Sequence, residues 1–361
     1  MSGADIVVAG AGAVGCAAAY VLARAGCRVT VADPAPAGAN ASRVAAGMLA
    51  PAFESLFDAE AGADFALLRT ARDLWPALAA EIGLPLAKDG ALALGTRAEA
   101  AGWVETLAGA GAEARLLAPA DVAALAPDPP SGAWAAFTPE DWRLAPETAL
   151  ARLRRAAERC GARFVAGRVV GYEAGQAQVE AAPPLRAERL VLATGAARGP
   201  ASFAPELAAL TPIKGHILRA AGDFAARPVA RAAGAYLCLG DGEAILGATM
   251  EAGISDPAVD PAVAKRLLAD AAPLLRGLGP LAWRAAAGVR ASSADGLPLV
   301  GEGCAPGVVL AAGARRNGWL LAPLIAQAVL DIVEGRAPGG AGVRFAPTRL
   351  DPPRPGLTTP G

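Results

Sequence analysis

The sequence predicts an α/β fold that begins with a strand, a helix and a second strand and later adds a second, antiparallel sheet. Three observations support this. DIVVAG at residues 5–10 is a short β-branched run, and AVGCAAAYVLARAG after it has the apolar spacing of a helix. RVTVAD at 28–33 alternates as a strand. Between 212 and 289, the runs GHILRA, AYLCLG and EAILGAT are separated by turn residues.

The segments between these regions predict further elements. FALLRTARDLWPALAAEIG at 65–83 predicts one amphipathic helix, and residues 145–160 predict another that ends at Gly161. GALALG, RFVAGRVVGYEAG, QAQVEAA and AERLVLATGA are strand candidates, and the last resembles a buried parallel strand that returns to the first sheet. DPAVAKRLLADAAPLL predicts a late helix, and the tail beyond Gly335 predicts a loop.

Length and charge limit the class of protein. The chain has 361 residues, enough for two domains, and its formal net charge of −1 argues against nucleic acid or an anionic membrane as a partner. Charged residues interrupt every apolar span before it reaches twenty residues, and the N-terminus lacks the basic region and cleavage site of a signal peptide. We expect a cytoplasmic protein without a membrane partner. We also expect a homo-oligomer.

Cysteine and histidine usage argues against metal chemistry. The five cysteines lie far apart without a C-x-x-C pair, so we expect reduced, mostly buried residues rather than disulfides or a zinc site. They are Cys16, Cys27, Cys160, Cys238 and Cys304. With His216 as the only histidine, a histidine-built metal site or a Ser/His/Asp triad is not expected.

A glycine-rich turn follows the first strand. Gly10, Gly12 and Gly15 form G-x-G-x-x-G at the start of the helix, and Asp33 ends the next strand. Glycines at these positions allow the backbone to approach a pyrophosphate, which the helix N-terminus binds, while the acid accepts a hydrogen bond from a ribose hydroxyl. The pattern predicts a dinucleotide site.

The next segment bears on which dinucleotide is bound. A nicotinamide domain normally continues with more βα units, whereas this chain has the loop GANASRVAAGMLAP at residues 38–51. Small residues around Ser42, leading to Met48, could let an isoalloxazine ring lie flat against the backbone. The alternative is a Gly/Ala hinge.

Two adjacent arginines stand in an apolar stretch. In GVVLAAGARRNGWLLAPLIAQAV, residues 307–329, a strand is predicted to turn into a buried helix with Arg315 and Arg316 between them. A guanidinium is always charged and costly to desolvate alone, so we expect an anion to meet at least one of them.

Seven segments together resemble the D-amino-acid oxidase superfamily of flavoproteins, most closely its glycine oxidase branch. They occur in the family's order from residue 5 to about residue 350: GAGAVG, SRVAAGMLAP, RLVLATG, PIKGHILRA, AYLCLGDGEAILGATME, GVRASSADGLPLVG and GARRNGWLLAP. The resemblance implies a Rossmann-like FAD-binding domain of the glutathione-reductase-like type, formed by residues 1–85, 141–210 and 291–361. It also implies an antiparallel-sheet substrate domain formed by residues 86–140 and 211–290.

The resemblance also implies noncovalent FAD, because the sarcosine oxidase relatives attach it through a cysteine near the position of Gly288. The implied contacts come from the glycine-rich turn, the acid after the second strand, the small-residue loop, a backbone partner of adenine and the flavin-edge segment. They are Gly10, Gly12, Ala13, Val14, Gly15, Asp33, Pro34, Ala41, Ser42, Ala46, Gly47, Met48, Val169, Thr194, Gly195, Gly313, Ala314, Arg315, Arg316, Asn317, Gly318, Trp319 and Leu320.

Five residues correspond to the substrate-binding positions of the family. They are Arg290, Arg316, Tyr236, Met48 and Met250. The implied reaction is hydride transfer from the α-carbon of glycine or a similar small amino acid to flavin N5. Dioxygen then reoxidises the flavin to give H2O2, and the imino acid feeds the thiazole branch of thiamine biosynthesis. No residue is assigned as a catalytic acid or base, because the flavin performs the chemistry if the amine binds in its neutral form.

Departures from the family leave alternatives open. Ala314 and Arg315 stand where the family commonly has histidine and an aromatic residue, so the pocket is altered or Arg315 pairs with an acid elsewhere; we rate Arg315 as structural. The sequence also permits a D-amino-acid or sarcosine-type oxidase, or a dehydrogenase that passes electrons to another acceptor. From a different class, a nicotinamide-dependent dehydrogenase or a nucleotide-binding module remains open. His216 and Lys214 are expected to be satisfied polar groups between strands.

Overall fold

The computed structural model describes residues 3–35, 40–58, 64–127, 129–197, 199–232, 234–278 and 280–350. The first residues of the predicted small-residue loop, Gly38 and Ala39, and the end of the predicted tail, residues 351–361, lie outside these ranges. None of the helices in the described part is long and apolar enough to cross a membrane.

Twenty strands form four sheets. They are β1 (Asp5–Ala9), β2 (Arg28–Asp33), β3 (Met48–Leu49), β4 (Ala91–Gly95), β5 (Arg115–Leu117), β6 (Trp134–Thr138), β7 (Trp142–Arg143), β8 (Arg163–Ala166), β9 (Val169–Glu173), β10 (Gln176–Val179), β11 (Leu185–Arg186), β12 (Arg189–Leu192), β13 (Thr211–Ala221), β14 (Val229–Ala232), β15 (Ala235–Gly240), β16 (Glu243–Gly247), β17 (Glu251–Ala252), β18 (Arg284–Ser292), β19 (Leu299–Glu302) and β20 (Val308–Ala312) within the described residues.

Eleven α-helices connect and cover these sheets. They are α1 (Ala13–Arg24), α2 (Ala41–Val44), α3 (Pro51–Phe57), α4 (Phe65–Asp73), α5 (Trp75–Ile82), α6 (Arg97–Gly109), α7 (Pro119–Leu125), α8 (Pro146–Arg159), α9 (Pro261–Asp270), α10 (Ala272–Leu275) and α11 (Gly318–Val333), again of the described residues. Short 3₁₀ helices occur at Gly199–Ser202, Pro205–Ala209, Arg276–Leu278, Gly340–Phe345 and Pro347–Leu350.

The first sheet has six strands in the order β19, β20, β12, β1, β2 and β8. All neighbouring pairs are parallel except β19 with β20. Its central strands are buried on both faces, which is why β1 and β12 read as continuous apolar runs. Helix α1 carries the fully buried alanines 17–19, and these small side chains let it pack closely between the sheet and α11.

The second large sheet has nine strands and is antiparallel apart from the pair β14 and β4. Strand β13 pairs with β18 over residues 211–219 and with β16 over residues 217–221. The predicted α/β class with an antiparallel second sheet is confirmed. We propose that the two domains follow the predicted ranges, with β18 running across the boundary between residues 290 and 291.

The structure corrects several local predictions. The late helix predicted from DPAVAKRLLADAAPLL is two helices, α9 and α10, and the tail predicted as loop contains two 3₁₀ helices up to residue 350. The helix predicted over 65–83 is two helices, α4 and α5, because Pro76 has no N–H to donate to residue 72. The segment RFVAGRVVGYEAG is two strands in different sheets, β8 and β9. The small-residue loop contains the short helix α2, whose N-cap Asn40 accepts a hydrogen bond from the N–H of Arg43.

Candidate active site

A first cavity of about 340 Å³ opens at the carboxyl ends of β1, β2, β12 and β20, where ligands of doubly wound sheets bind. Most of the residues predicted to bind the cofactor line it. These are Gly10, Gly12, Ala13, Val14, Asp33, Pro34, Ala41, Ser42, Val169, Thr194, Gly195, Gly313, Ala314, Arg315, Arg316, Gly318 and Trp319. Another four, Ala46, Gly47, Met48 and Asn317, line the neighbouring cavity, and Gly15 and Leu320 line neither.

The glycine-rich turn brings the N-terminus of α1 close to the sheet. Gly10 has φ +108°, and a Cβ there would lie 2.3 Å from the carbonyl oxygen of Ala193. A Cβ on Gly15 would lie 2.0 Å from the carbonyl oxygen of Gly10, so Gly15 sets the approach of helix to strand. The Asp33 carboxylate accepts hydrogen bonds from the N–H groups of Ala11 and Ala35, both at 2.6 Å, and thereby fixes the turn.

The polar groups on this wall fit FAD. The N-terminus of α1 supplies the positive end of a helix dipole to a pyrophosphate. Asp33 lines the same wall and retains acceptor capacity for a ribose hydroxyl. The buried hydroxyl oxygen of Thr194 has no hydrogen-bond partner within the described residues. A dinucleotide in this cavity would supply the partner that such a buried group requires.

A second cavity, of about 410 Å³, adjoins the first. Four residues line both cavities: Ala45, Arg290, Arg316 and Trp319. All five residues predicted to bind substrate line the second cavity, namely Met48, Tyr236, Met250, Arg290 and Arg316. The residues predicted to bind cofactor and substrate thus lie mainly on the walls of two adjoining cavities, and their binding roles stay predictions.

Arg290 lies on β18 at the junction of the two cavities. One terminal nitrogen donates to the carbonyl oxygen of Thr249 at 3.4 Å and contacts the Met250 sulfur at 3.5 Å. In the described part of the chain, no carboxylate lies within ion-pair distance of it. Gly215 lies on β13 two residues beyond Ile213, the register partner of Arg290, and it leaves room for the guanidinium, because a Cβ there would lie 2.2 Å from it. Burial lowers the pKa of Arg290 from its ordinary high value.

Tyr236 on β15 is buried beside this guanidinium. Burial raises the pKa of its hydroxyl to about 12, so the phenol keeps its proton and can donate a hydrogen bond. A Cβ on Gly247, its register partner on β16, would lie 2.3 Å from the phenolic oxygen. The glycine is therefore what allows the ring to lie flat across the neighbouring strand.

Arg315 and Arg316 occupy the turn between β20 and α11, as predicted, and both meet protein carboxylates. Arg315 pairs with Asp58. Nε of Arg316 lies 2.8 Å from a carboxylate oxygen of Glu54, and another of its nitrogens lies 3.9 Å from Asp58. Of the two alternatives left open for this position, the structure shows the second, a pair between Arg315 and an acid that does not line the substrate cavity. Sequence reasoning assigned the substrate carboxylate to Arg316. The structure shows that Arg316 also pairs with a protein carboxylate, that of Glu54.

Sequence reasoning missed Glu54 and Arg231. Glu54 on α3 is buried and binds both Arg316 and Arg231, the latter at 3.0 Å. Burial opposes ionisation of Glu54, but Arg316 and Arg231 outweigh it and lower its pKa below the ordinary value. Arg231 on β14 also contacts the Met48 sulfur at 3.6 Å. The available signal was the spacing of Glu54 and Asp58, four residues apart just after the small-residue loop.

The single histidine is a structural group. Nε2 of buried His216 accepts a hydrogen bond from the N–H of Asp260, so Nδ1 carries the proton and donates to Glu251 at 2.9 Å. Lys214 is buried with its amine 4.0 Å from Asp256. The expectation of a satisfied polar histidine between strands is confirmed. Of the cysteines, Cys16, Cys27 and Cys238 are buried and Cys160 and Cys304 are exposed.

Comparison with known proteins identifies the family. The model of the DAO family, described as FAD dependent oxidoreductase, matches residues 5–332. The chain belongs to this family of FAD-dependent oxidoreductases. It is therefore a flavoenzyme of the amino acid oxidase type, and its cofactor is FAD.

Individual relatives agree with this. The chain is 30% identical over 357 residues to a glycine oxidase of Geobacillus kaustophilus, covering 91% of this chain and 93% of the relative. The crystal structure of glycine oxidase from Geobacillus kaustophilus superposes with a TM-score of 0.84 at 26% identity, covering 98% of this chain and 100% of that one. An iminodiacetate oxidase from Chelativorans sp. BNC1 shares the fold, with a TM-score of 0.84 at 22% identity over 95% of this chain and 98% of its own.

Proposed function

We propose that this protein oxidises glycine or a similarly small amino acid, with dioxygen as the electron acceptor. The observation that carries the proposal is Arg290, a guanidinium at the junction of the two cavities that has no carboxylate partner among the described residues. A half-buried cation of this kind, without a protein carboxylate beside it, calls for a ligand anion. The carboxylate of an amino acid supplies one, and glycine oxidase relatives at 30% identity support the choice.

The protein's part in the reaction is to orient the substrate. Arg290 binds the carboxylate through two parallel hydrogen bonds, which fixes direction as well as charge. Tyr236 adds a phenol donor, and Arg316, held by Glu54, adds positive charge from the wall of the same cavity. Orientation of this kind contributes a large part of the rate enhancement in enzymes. Met48 and Met250 line the remaining space.

Bound FAD would supply the redox chemistry. It would accept a hydride from the α-carbon, which leaves an imine, and would then pass two electrons to dioxygen, which gives hydrogen peroxide. The first-turn N–H groups of α11, which begins at Gly318 on the wall of the first cavity, would be available to stabilise negative charge on a bound flavin. No side-chain base is required if the amine binds in its neutral form.

We propose that FAD binds without a covalent bond. Gly288, where the sarcosine oxidase relatives have a cysteine, offers no nucleophile. A Cβ at residue 288 would lie 3.1 Å from Cα of Ala41 and 3.4 Å from Cβ of Val44. Helix α2 therefore fills the space that a side chain at residue 288 would need. Use of the imino acid in the thiazole branch of thiamine biosynthesis stays a prediction.

The test is oxygen consumption and peroxide release by the purified yellow protein with glycine, N-methylglycine, D-alanine and D-proline. Stoichiometric peroxide with glycine or N-methylglycine supports the proposal. Flavin that is bleached by substrate and stays bleached in air contradicts the oxidase assignment and indicates a dehydrogenase with another acceptor. A flavin spectrum that none of these amines changes contradicts the assignment of substrate.

A further inference from the structure

The second cavity carries more positive charge than one amino acid can neutralise. Three guanidinium groups line it, those of Arg231, Arg290 and Arg316. Of the described residues on its wall, Glu54 alone is acidic. A small amino acid bound with its amine neutral brings one negative charge. One positive charge would then remain uncompensated in a desolvated space, which is costly.

Arg231 is the guanidinium best placed to bind a second anion. Glu54 is shared between two guanidinium groups, at 2.8 Å from Arg316 and 3.0 Å from Arg231, so its one negative charge cannot neutralise both. Arg231 is only 8% exposed, and its Nε is buried without a hydrogen-bond partner among the described residues. The buried carboxylate of Asp141 does not offer one either, because it accepts hydrogen bonds from the N–H groups of Ala52 and Phe53 and makes no ion pair with Arg231.

The position of Arg231 suits a ligand that already touches Tyr236. The two residues are register partners on the antiparallel strands β14 and β15. Their side chains therefore share one face of the sheet, with Cβ atoms about 5 Å apart. A substrate whose first carboxylate is bound by Arg290 and Tyr236 can thus reach Arg231 with a second end.

The second cavity, of about 410 Å³, would be shared by the flavin and the substrate, because the predicted flavin contacts Ala46, Gly47 and Met48 line it as well. We propose that Arg231 forms a second anion subsite and that the preferred substrates are small α-amino acids that carry a second carboxylate. This inference rests on the proposed amino acid oxidation and narrows its substrate class.

The first test measures the binding of inert substrate analogues to the FAD-loaded protein. Oxydiacetate has two carboxylates and an ether oxygen in place of the amine, and methoxyacetate has one carboxylate. Trp103 and Trp319 line the cavity, so tryptophan fluorescence reports binding as well as the flavin spectrum does. We expect oxydiacetate to bind at least about tenfold more tightly than methoxyacetate, the gain expected from a hydrogen-bonded charge. Equal affinities for the two acids in the unmodified protein overturn the proposal.

The second test assigns the gain to Arg231. In Arg231→Gln we expect oxydiacetate to bind about tenfold or more weakly, while methoxyacetate binds within about threefold of the unmodified protein. Arg72→Gln is the matched control, because Arg72 is equally buried and ion-paired but lines neither cavity. It should leave both affinities within about twofold. Equal weakening of both acids in Arg231→Gln means that the residue is only structural. If that variant does not fold, the comparison in the unmodified protein still decides.

Measurements of turnover distinguish a failure of the second anion subsite from a failure of the proposed amino acid oxidation, on which the subsite rests. The substrates are N-(carboxymethyl)glycine and its monoamide, which has the same shape and one charge less. We expect kcat/KM to favour the dicarboxylate by about tenfold or more in the unmodified protein and to lose most of that preference in Arg231→Gln. Oxidation of glycine without this preference overturns the subsite and leaves the oxidase intact. Tight binding of oxydiacetate that depends on Arg231, with no amine oxidised, supports the subsite and overturns the function.

Discussion

Nε of Arg316 lies 2.8 Å from one oxygen of Glu54, whose other oxygen lies 3.0 Å from Arg231. The single carboxylate thus joins the turn after β20 in the parallel sheet to β14 in the antiparallel sheet. It does so at the wall of the second cavity, where Glu54 and Arg231 are buried and Arg316 is partly exposed. Removing one member of such a buried set leaves the others uncompensated, which costs more than the set itself contributes.

Replacement of Glu54 by glutamine should therefore destabilise the protein. Arg231 and Arg316 would keep their charges without the anion between them, and we expect the free energy of unfolding to fall by about 3 kcal/mol. Urea unfolding of the FAD-loaded protein measures it. Glu147→Gln is the control, since Glu147 pairs with Arg43 at the surface and should change stability by less than about 0.5 kcal/mol. A Glu54→Gln protein as stable as this control would contradict the bridging role.

Replacement of Arg290 by methionine should weaken substrate binding and leave FAD in place. The change removes the guanidinium assigned to the carboxylate, and a desolvated pair of this kind contributes about 2 to 5 kcal/mol, or ~30-fold and more in KM for the amino acid. Steady-state kinetics and the ratio of flavin to protein absorbance measure both properties. Arg284→Met changes an exposed arginine on the same strand and should leave KM unchanged. An unaltered KM in Arg290→Met would mean that another residue binds the carboxylate.

Local sequence patterns were enough to predict which residues form the glycine-rich turn of the nucleotide site. They were not enough to predict that Glu54 and Arg231 lie at the substrate cavity. The glycines and Asp33 lie within one βαβ unit, so their spacing alone places them together. Glu54 and Arg316 are 262 residues apart, and only the packing of α3 against the turn after β20 makes them partners. Arg231 stands in a short strand, VARA, that has no motif of its own. Its role becomes visible only when strand pairing sets it opposite Tyr236.

A methyl group at Gly15 should abolish FAD binding. It would lie 2.0 Å from the carbonyl oxygen of Gly10 and force α1 away from β1, so the helix N-terminus would move from the cofactor wall. Gly102→Ala is the control, because Gly102 lies in α6 with nothing within 4 Å of the added carbon. The control should gain about 0.5 to 1 kcal/mol through helix propensity and keep its flavin. Flavin content after gel filtration and thermal unfolding report the difference. Full flavin content in Gly15→Ala would contradict the close-approach argument.

Asp141 should make stability depend on pH. Burial raises the pKa of this carboxyl from 3.8 to about 7, with Arg231 and the N–H groups of Ala52 and Phe53 opposing the shift. Between these two values, the unfolded chain has lost the proton while the folded protein keeps it. The contribution of Asp141 to the free energy of unfolding therefore falls as pH rises, by up to about 1.4 kcal/mol per unit. Asp141→Asn lacks this slope, and Glu105→Gln controls for the loss of one exposed acid. Urea unfolding of the three proteins between pH 4.5 and 7 measures it. A difference between wild type and Asp141→Asn that stays constant, or that grows in favour of wild type with rising pH, would show that Asp141 is ionised in the folded protein throughout.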